Sequence, residues 1–377
     1  MKIFVPNEIS RGETRVALVP ASVKRLAIPG VEILIESNAG AASSYGDEAY
    51  RAAGAAIASG DGWANADVVL VVGIPAEENI AQLRTGAIVA GLLAPHKNLE
   101  SIKAMAQRGV SALALEYLPR ITRAQGMDVL SSQANLAGYK AVILAADQSP
   151  RIFPMLMTAA STLRAAKVLV IGAGVAGLQA IATARRLGAI VSAYDVRPAV
   201  KEQVLSLGAK FVELPLETAT AQDAGGYAKE LSPEQQQKQR DLMAQVVAES
   251  DVVITTAAVP GKPAPKLISD DVLARMQMGA IIVDLVADSG GNCQSTEPGK
   301  IVRKGNVTLV GITNVAGTVP FHASQVYANN LVNLMKLILT PEGTVKLDPA
   351  DEIIAGILLC QGGQIVHPRV KELLPHA

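Results

Sequence analysis

Three glycines, Gly172, Gly174 and Gly177, lie between an apolar run, Val168 to Ile171, and a helical pattern that continues to Gly188. A strand that turns through glycines into a helix is chemistry for a pyrophosphate. Gly172 permits the tight turn, Gly174 lets backbone approach the phosphates, and Gly177 lets the helix pack close to the strand. Val175 and Ala176 open that helix, whose first N–H groups and positive dipole end suit an anion. A second apolar run, Ala189 to Tyr194, ends at Asp195, eighteen residues past the third glycine. A carboxylate there accepts hydrogen bonds from the adenosine ribose hydroxyls and repels a 2′-phosphate. Arg197 can accommodate such a phosphate, so the turn by itself leaves NAD and NADP both open.

The segment from Tyr117 to Gln133 is the second candidate. It leaves a strand pattern and enters a helical one, which puts it at the strand end where α/β sheets bind ligands. Arg120 and Asp128 can pair across the loop and stiffen it. Gln125 is then a neutral amide able to donate and accept, suited to ribose hydroxyls and a carboxamide. An ordinary capped helix with a surface ion pair fits these residues equally well. The four histidines, His96, His322, His367 and His376, sit in no motif and read as solvated or structural. Cys293 and Cys360 give neither a disulfide framework nor metal spacing and read as small buried hydrophobes, so no metal site is expected.

The elements that position these residues follow from composition and periodicity. The 377 residues suffice for two or three domains. Lysine plus arginine and aspartate plus glutamate balance at 34 each, which implies no nucleic-acid partner. At 3% aromatic residues there is no base-stacking platform. The 50% apolar fraction rests on Ala, Val, Leu and Ile and suits buried parallel strands. With neither a membrane-length apolar run nor a signal peptide, the sequence predicts a soluble cytoplasmic chain. Strand patterns at Ile3–Pro6, Glu32–Glu36, Val68–Val72, Ala87–Gly91 and Ser111–Leu115 alternate with helical ones at Ala21–Ala27, Asp47–Ala53 and Leu99–Arg108. Such alternation predicts parallel strands with right-handed crossovers. A long helix is expected from about Val129 to Asp147 as a bridge between domains. Further strands are expected at Phe211–Leu214, Asp251–Ala257, Ala280–Val286 and Val307–Gly311. The polar stretch from Glu217 to Arg240 reads either as a mobile loop or as a disordered insertion. The segment after Val315, with a helix at Ala328–Leu339, is expected to return to the first domain.

Taken together, these motifs resemble the alanine dehydrogenase/pyridine nucleotide transhydrogenase family over nearly the whole chain. The markers are Gly12 to Ala17, Pro119-Arg120 through Tyr139, Gly172–Gly177, Tyr194 to Pro198, Gly225-Gly226-Tyr227-Ala-Lys229, Thr255-Thr256-Ala257, Pro260 to Pro265 and Gly290 to Cys293. The resemblance implies an α/β fold, with two Rossmann-like, doubly wound parallel-sheet domains flanking a nucleotide-binding cleft. The implied boundaries are 1–128 plus 316–377 for a discontinuous domain and 129–315 for the NAD(H)-binding one. Arg120, Gln125, Asp128 and Ser131 match a loop contacting NAD(H) on its nicotinamide side, and Gln125, Arg120 and Asp128 are its candidate catalytic residues. Gly172, Gly174, Val175, Ala176, Gly177, Asp195, Val196, Arg197, Thr256 and Ala257 are further cofactor-binding candidates. Gly226 and Tyr227 match a mobile loop that closes over nucleotide.

Departures from the alanine dehydrogenase pattern narrow the activity. Gly73 stands where those enzymes carry a substrate lysine. Leu92 stands where they carry a catalytic histidine, with His96 displaced by four residues. Arg15 matches a residue that holds the substrate carboxylate, and Asp288 matches an acid. Hydride transfer between two nicotinamide rings needs no general acid or base, only two C4 atoms held roughly 3–3.5 Å apart and shielded from water. The chain carries one dinucleotide fingerprint, so NADP(H) is expected on a partner subunit. The implied assembly is a homodimer with an NADP(H)-binding beta subunit and membrane-spanning subunits. It would catalyse Re/Si-specific, proton-translocating transhydrogenation, with this chain peripheral to the inner face of the membrane. An amino-acid dehydrogenase and a non-catalytic NAD-sensing module are the rival readings.

Overall fold

Buried apolar runs alternate with amphipathic helices to give two parallel-dominated sheets in the computed structural model, which describes residues 1–9, 12–58, 60, 62–213, 233–259 and 262–374. The chain divides into two units, Met1–Gln133 with Gly317–Ala377, and Ala134–Ala316. It leaves the first unit within the helix Val129–Gln148 and returns in the short turn Val315–Thr318.

In the first unit the strands lie side by side in the order Ala56–Ala58, Glu32–Glu36, Lys2–Val5, Val68–Leu70, Ile88–Gly91, Ser111–Ala114, Leu358–Gln361 and Gln364–Ile365. The first six are parallel; Leu358–Gln361 runs antiparallel to them and Gln364–Ile365 turns back antiparallel to it. The order reverses between Lys2–Val5 and Val68–Leu70, where a doubly wound sheet opens its crevice. Side chains alternate across the sheet with the period of two that extended backbone imposes. Ile3 and Val5 pack with Tyr327, Leu331, Leu334 and Met335 of the helix Pro320–Ile338. Phe4 faces the other way, among Trp63, Val69, Ile102 and Met105.

The second unit repeats the plan, in the order Lys210–Phe211, Ile190–Tyr194, Lys167–Ile171, Val252–Thr255, Ala280–Asp284, Val307–Val310 and Ile301–Lys304. All neighbours are parallel except the last, an antiparallel edge strand. Its order reverses between Lys167–Ile171 and Val252–Thr255. Val168 and Val170 pack under Ala141, Val142 and Ala145 of the helix Val129–Gln148 and under Ala180, Ile181 and Ala184 of the helix Val175–Arg186. Leu169 and Ile171 face Met243, Val247 and Leu273.

Several elements differ from the sequence expectation. The strand Ala56–Ala58, the edge strand Ile301–Lys304, the short strand Gln364–Ile365 and the hairpin Leu156–Met157 with Thr162–Leu163 carry no buried run long enough to read, and the buried strand Leu358–Gln361 continues the apolar run of the helix Glu352–Ile357 without a break. The helix Pro320–Ile338 begins eight residues before the expected Ala328, with Pro320 placed where its missing N–H costs nothing. The polar stretch is neither all loop nor all insertion, because the helix Pro233–Ala248 takes up its end. The expected strand Phe211–Leu214 is Lys210–Phe211; Leu214, Gly226 and Tyr227 lie outside the described residues.

Candidate functional site

The second unit builds its site from the turn after the strand Lys167–Ile171. Gly172 adopts φ 97°, and a Cβ there would sit 2.4 Å from Thr256 Oγ1. A Cβ on Gly177 would sit 1.8 Å from the Gly172 carbonyl oxygen, so the helix can lie on the turn only because no side chain intervenes. Gly174 is different: its φ of −77° suits any residue, and nothing lies within 4 Å of where its Cβ would stand. The fold therefore requires Gly172 and Gly177 but not Gly174. The helix that follows has no side-chain cap, which leaves its first N–H groups to a ligand. An open glycine before uncapped amides fits a pyrophosphate. From behind, Gly138 supports the turn, since a Cβ on it would meet the Ala176 carbonyl oxygen at 2.1 Å. A glycine inside an alanine-rich helical pattern was the available signal.

Asp195 follows the neighbouring strand Ile190–Tyr194 and is 9% exposed. Its Oδ2 accepts the Ala173 N–H at 2.7 Å, and its Oδ1 accepts the Arg197 N–H at 2.8 Å. The Arg197 guanidinium closes on the same carboxylate, Nε at 2.9 Å and Nη2 at 2.9 Å. Val196 packs into the core beside Tyr194. Thr256 donates to the Gly172 carbonyl at 3.0 Å. Ala257 is clamped by the fully buried Asn292, which accepts its N–H at 3.0 Å and donates to its carbonyl at 2.8 Å. Asn292 belongs to a sequence marker yet had no role assigned from sequence, because the register of a long-range amide clamp has no local signature.

In the first unit, Thr122–Met127 forms 3-10 turns ahead of Asp128. The expected Arg120–Asp128 pairing gives way to a local one. Asp128 accepts the Ser131 N–H at 2.9 Å and the Ser131 hydroxyl at 2.5 Å, which caps the helix Val129–Gln148. Arg120 is exposed. Arg123, in the same loop, places two nitrogens on the Asp351 carboxylate at 2.8 Å each. Asn330 and Asn333, one turn apart on the helix Pro320–Ile338, both donate to the Gly126 carbonyl, at 2.9 and 2.8 Å. These anchors leave Gln125 exposed on a fixed backbone. Arg123, Asp351, Asn330 and Asn333 were not singled out in the sequence.

At the C-terminal edge of the first sheet, acids of the chain itself fill the crevice. Glu8 accepts the Val72 and Gly73 N–H groups at 2.7 and 2.9 Å. Arg15 places Nε and Nη2 on Glu13, each at 2.8 Å, and Nη1 on Gln133 at 2.9 Å. Burial works against the Arg15 charge, but the Glu13 hydrogen bonds and the nearby acids more than offset it and hold its pKa above the usual value. Burial raises Glu116, although its carboxylate accepts the Leu93 and Ala94 N–H groups. His96 is exposed, and Asp288 lies on an exposed turn. His367 is structural: its Nε2 lies 3.1 Å from the Gly356 carbonyl oxygen and its ring packs tilted by 36° against Tyr117. Both cysteines are buried, and burial pushes the Cys360 thiol up to about 11.

Comparison with known proteins places this geometry in a lineage. Residues 4–137 match a family model described as alanine dehydrogenase/PNT, N-terminal domain, and residues 141–368 match its C-terminal counterpart. The chain is 41% identical over 370 residues to the NAD(P) transhydrogenase subunit alpha of Haemophilus influenzae, covering 98% of this chain and 72% of that one. In Rhodospirillum rubrum the similar protein is a shorter alpha-subunit chain of NAD(P) transhydrogenase, 47% identical over 381 residues and covered to 98% on both sides. The chain superposes on the crystal structure of transhydrogenase from Sinorhizobium meliloti with a TM-score of 0.89 and 46% identity, covering 97% of this chain and 100% of that one. An L-alanine dehydrogenase structure shares the fold at a TM-score of 0.82 and 24% identity, covering 100% of this chain and 99% of that one.

Proposed function

The chain belongs to the alanine dehydrogenase/pyridine nucleotide transhydrogenase family, and from that membership we propose that it is the NAD(H)-binding component of a proton-translocating NAD(P) transhydrogenase. One observation carries the nucleotide half of this reading: Gly174, which the fold does not require, stands open before uncapped helix amides, and Asp195 is hydrogen-bonded to the same turn. Asp195 favours NAD(H). Arg197 is committed to that buried carboxylate and would have to abandon it to meet a 2′-phosphate.

Bound NADH supplies the hydride. The chain's own work is binding and orientation. Gly172, Gly174, Val175, Ala176 and Gly177 form the pyrophosphate turn, with Thr256 and Ala257 fixing its far side; Asp195, Val196 and Arg197 hold the adenosine end. Gln125 presents its amide toward the nicotinamide ribose, Asp128 and Ser131 fix the backbone that carries it, and Arg120 supplies charge at the same loop. No proton moves to or from a substrate carbon, so no acid–base pair is required. The family's other activity lacks its parts here. Gly73 offers no side chain, Leu92 is apolar, and all three nitrogen positions of Arg15 are engaged by Glu13 and Gln133.

The NADP(H) site is assigned to a beta subunit and proton translocation to membrane-spanning subunits, with this chain held as a homodimer at the inner membrane face. Among the described residues no helix is long and apolar enough to cross a membrane. The test is hydride transfer from NADH to an oxidised nicotinamide analogue with NADP(H) present, for the purified chain alone and with an NADP(H)-binding partner domain added. Activity only in the mixture is expected. Silence with a competent partner, or NAD⁺ reduction by alanine, overturns the assignment.

A further inference from the structure

Asn292 is fully buried beside the chain that leaves the strand Val252–Thr255. Its Oδ1 accepts the Ala257 N–H at 3.0 Å, and its Nδ2 donates to the Ala257 carbonyl at 2.8 Å and to the Pro265 carbonyl at 2.9 Å. One side chain thus ties together two backbone positions eight residues apart. The Asn292 backbone is fixed in turn, since its carbonyl accepts the Leu267 and Ile268 N–H groups at 2.8 and 3.0 Å. Asp284, 1% exposed, anchors the residues that follow: its Oδ2 accepts the Cys293 N–H at 3.1 Å and the Thr296 hydroxyl at 2.7 Å. Gly291, at φ 78°, lets the loop close on that carboxylate, because a Cβ there would stand 2.7 Å from the same oxygen.

The other end of this run of bonds is the glycine turn. The Thr256 N–H donates to the Ile171 carbonyl at 2.8 Å, and its hydroxyl to the Gly172 carbonyl at 3.0 Å. A Cβ built on Gly172 would lie 3.2 Å from the Ala257 nitrogen, so the peptide that Asn292 holds is the wall against which the turn packs. The chemistry allowed at position 292 is narrow. Its side chain must accept one N–H and donate two, at one length. An asparagine amide does this; an ionised aspartate accepts without donating, and a serine hydroxyl donates once. A buried carbonyl left without a donor is costly, and backbone shifts to relieve it. A displacement of about 1 Å at a binding site can lower function by as much as a hundredfold. We propose that Asn292 is a positioning residue for NAD(H), setting the Ala257 peptide and through it the glycine turn, with Asp284 fixing the loop that delivers it. The proposal rests on the reading of that turn as the NAD(H) site.

The test is fluorescence titration of the full chain with NADH, with thermal unfolding of each unliganded variant alongside. Unaltered chain is titrated first. If it binds no NADH, the nucleotide reading falls and this proposal with it; if it binds and the variants bind equally well, only the role of Asn292 falls. Asn292→Asp is expected to weaken NADH about tenfold or more near pH 8, where its carboxylate donates to neither carbonyl. Burial raises the pKa of such a carboxyl, so lowering the pH to about 6 protonates it, restores one donor and recovers part of the affinity. Asn292→Ser has no carboxyl to titrate and is expected to show the loss without the recovery. General loosening of the loop would give both variants the same pH profile. Should the Asn292→Asp chain fail to fold, Asn292→Ser, which buries no charge, decides alone. A folded variant with unaltered NADH affinity, or an Asn292→Asp profile that follows that of Asn292→Ser, overturns the proposal.

Discussion

Asp195 and Arg197 form one device. The carboxylate is buried, takes an N–H from the glycine turn, and holds the Arg197 guanidinium, which could otherwise favour a 2′-phosphate. Replacing it by alanine removes the acceptor of the Ala173 N–H and of the Arg197 Nε and Nη2 contacts. Asp195→Ala is therefore expected to weaken NADH binding about tenfold or more and to raise the NADPH-to-NADH affinity ratio, measured by fluorescence titration of both nucleotides. An unchanged ratio would show that the acid does not set the choice. The sequence showed this acid at the right spacing but not the Arg197 fork upon it, because the rotamer of an arginine is a packing outcome. The same holds at Arg15, which matches a carboxylate-holding residue of alanine dehydrogenases or else a structural one, and which the structure shows engaged by Glu13 and Gln133.

Among elements, the strand–turn–helix around Gly172 was legible because each part has a local cause: a continuous apolar run, a positive φ, a helix start. The strand Lys167–Ile171 and the helix Val129–Gln148 end within one residue of their expected bounds. Edge elements were not legible. Ile301–Lys304 exposes most of its side chains, and Ala56–Ala58 is only three residues with one strand former, Ile57, between alanines, so neither shows a long buried face. The loop before Asp128 was half legible. Its polar residues stood out, but its anchors come from a helix some two hundred positions away, at Asn330 and Asn333. The three glycines of the turn give a prediction that separates packing from binding. Gly177→Ala forces a Cβ into a backbone carbonyl and should destabilise the chain by roughly 1–3 kcal/mol. Gly174→Ala should leave stability within about 1 kcal/mol, yet weaken NADH about tenfold or more. Paired thermal unfolding and NADH titration check both. A Gly174→Ala chain that binds NADH normally would remove the pyrophosphate from this turn.

For the chain as a whole, a continuous unit is inserted in a discontinuous one. The helix Pro320–Ile338 supplies Tyr327, Leu331, Leu334 and Met335 to the first unit's core. A chain ending at Ala316 should leave that unit unfolded, whereas residues 134–316 alone should unfold cooperatively. Circular dichroism during heating distinguishes the two. A cooperative first unit without its C-terminal helix would refute the dependence. The closing antiparallel strand has a consequence in time as well as space. Cys360 bonds to the Val110 carbonyl, 250 positions earlier, beside the pairing of Leu358 with Leu113. At about 5–20 residues per second, a ribosome needs roughly 12–50 s to make the intervening chain. Throughout that interval the edge of the strand Ser111–Ala114 has no partner while the inserted unit is completed. The first unit thus cannot close its sheet until the inserted unit has been made, so its apolar segments wait unpaired through most of the chain's synthesis.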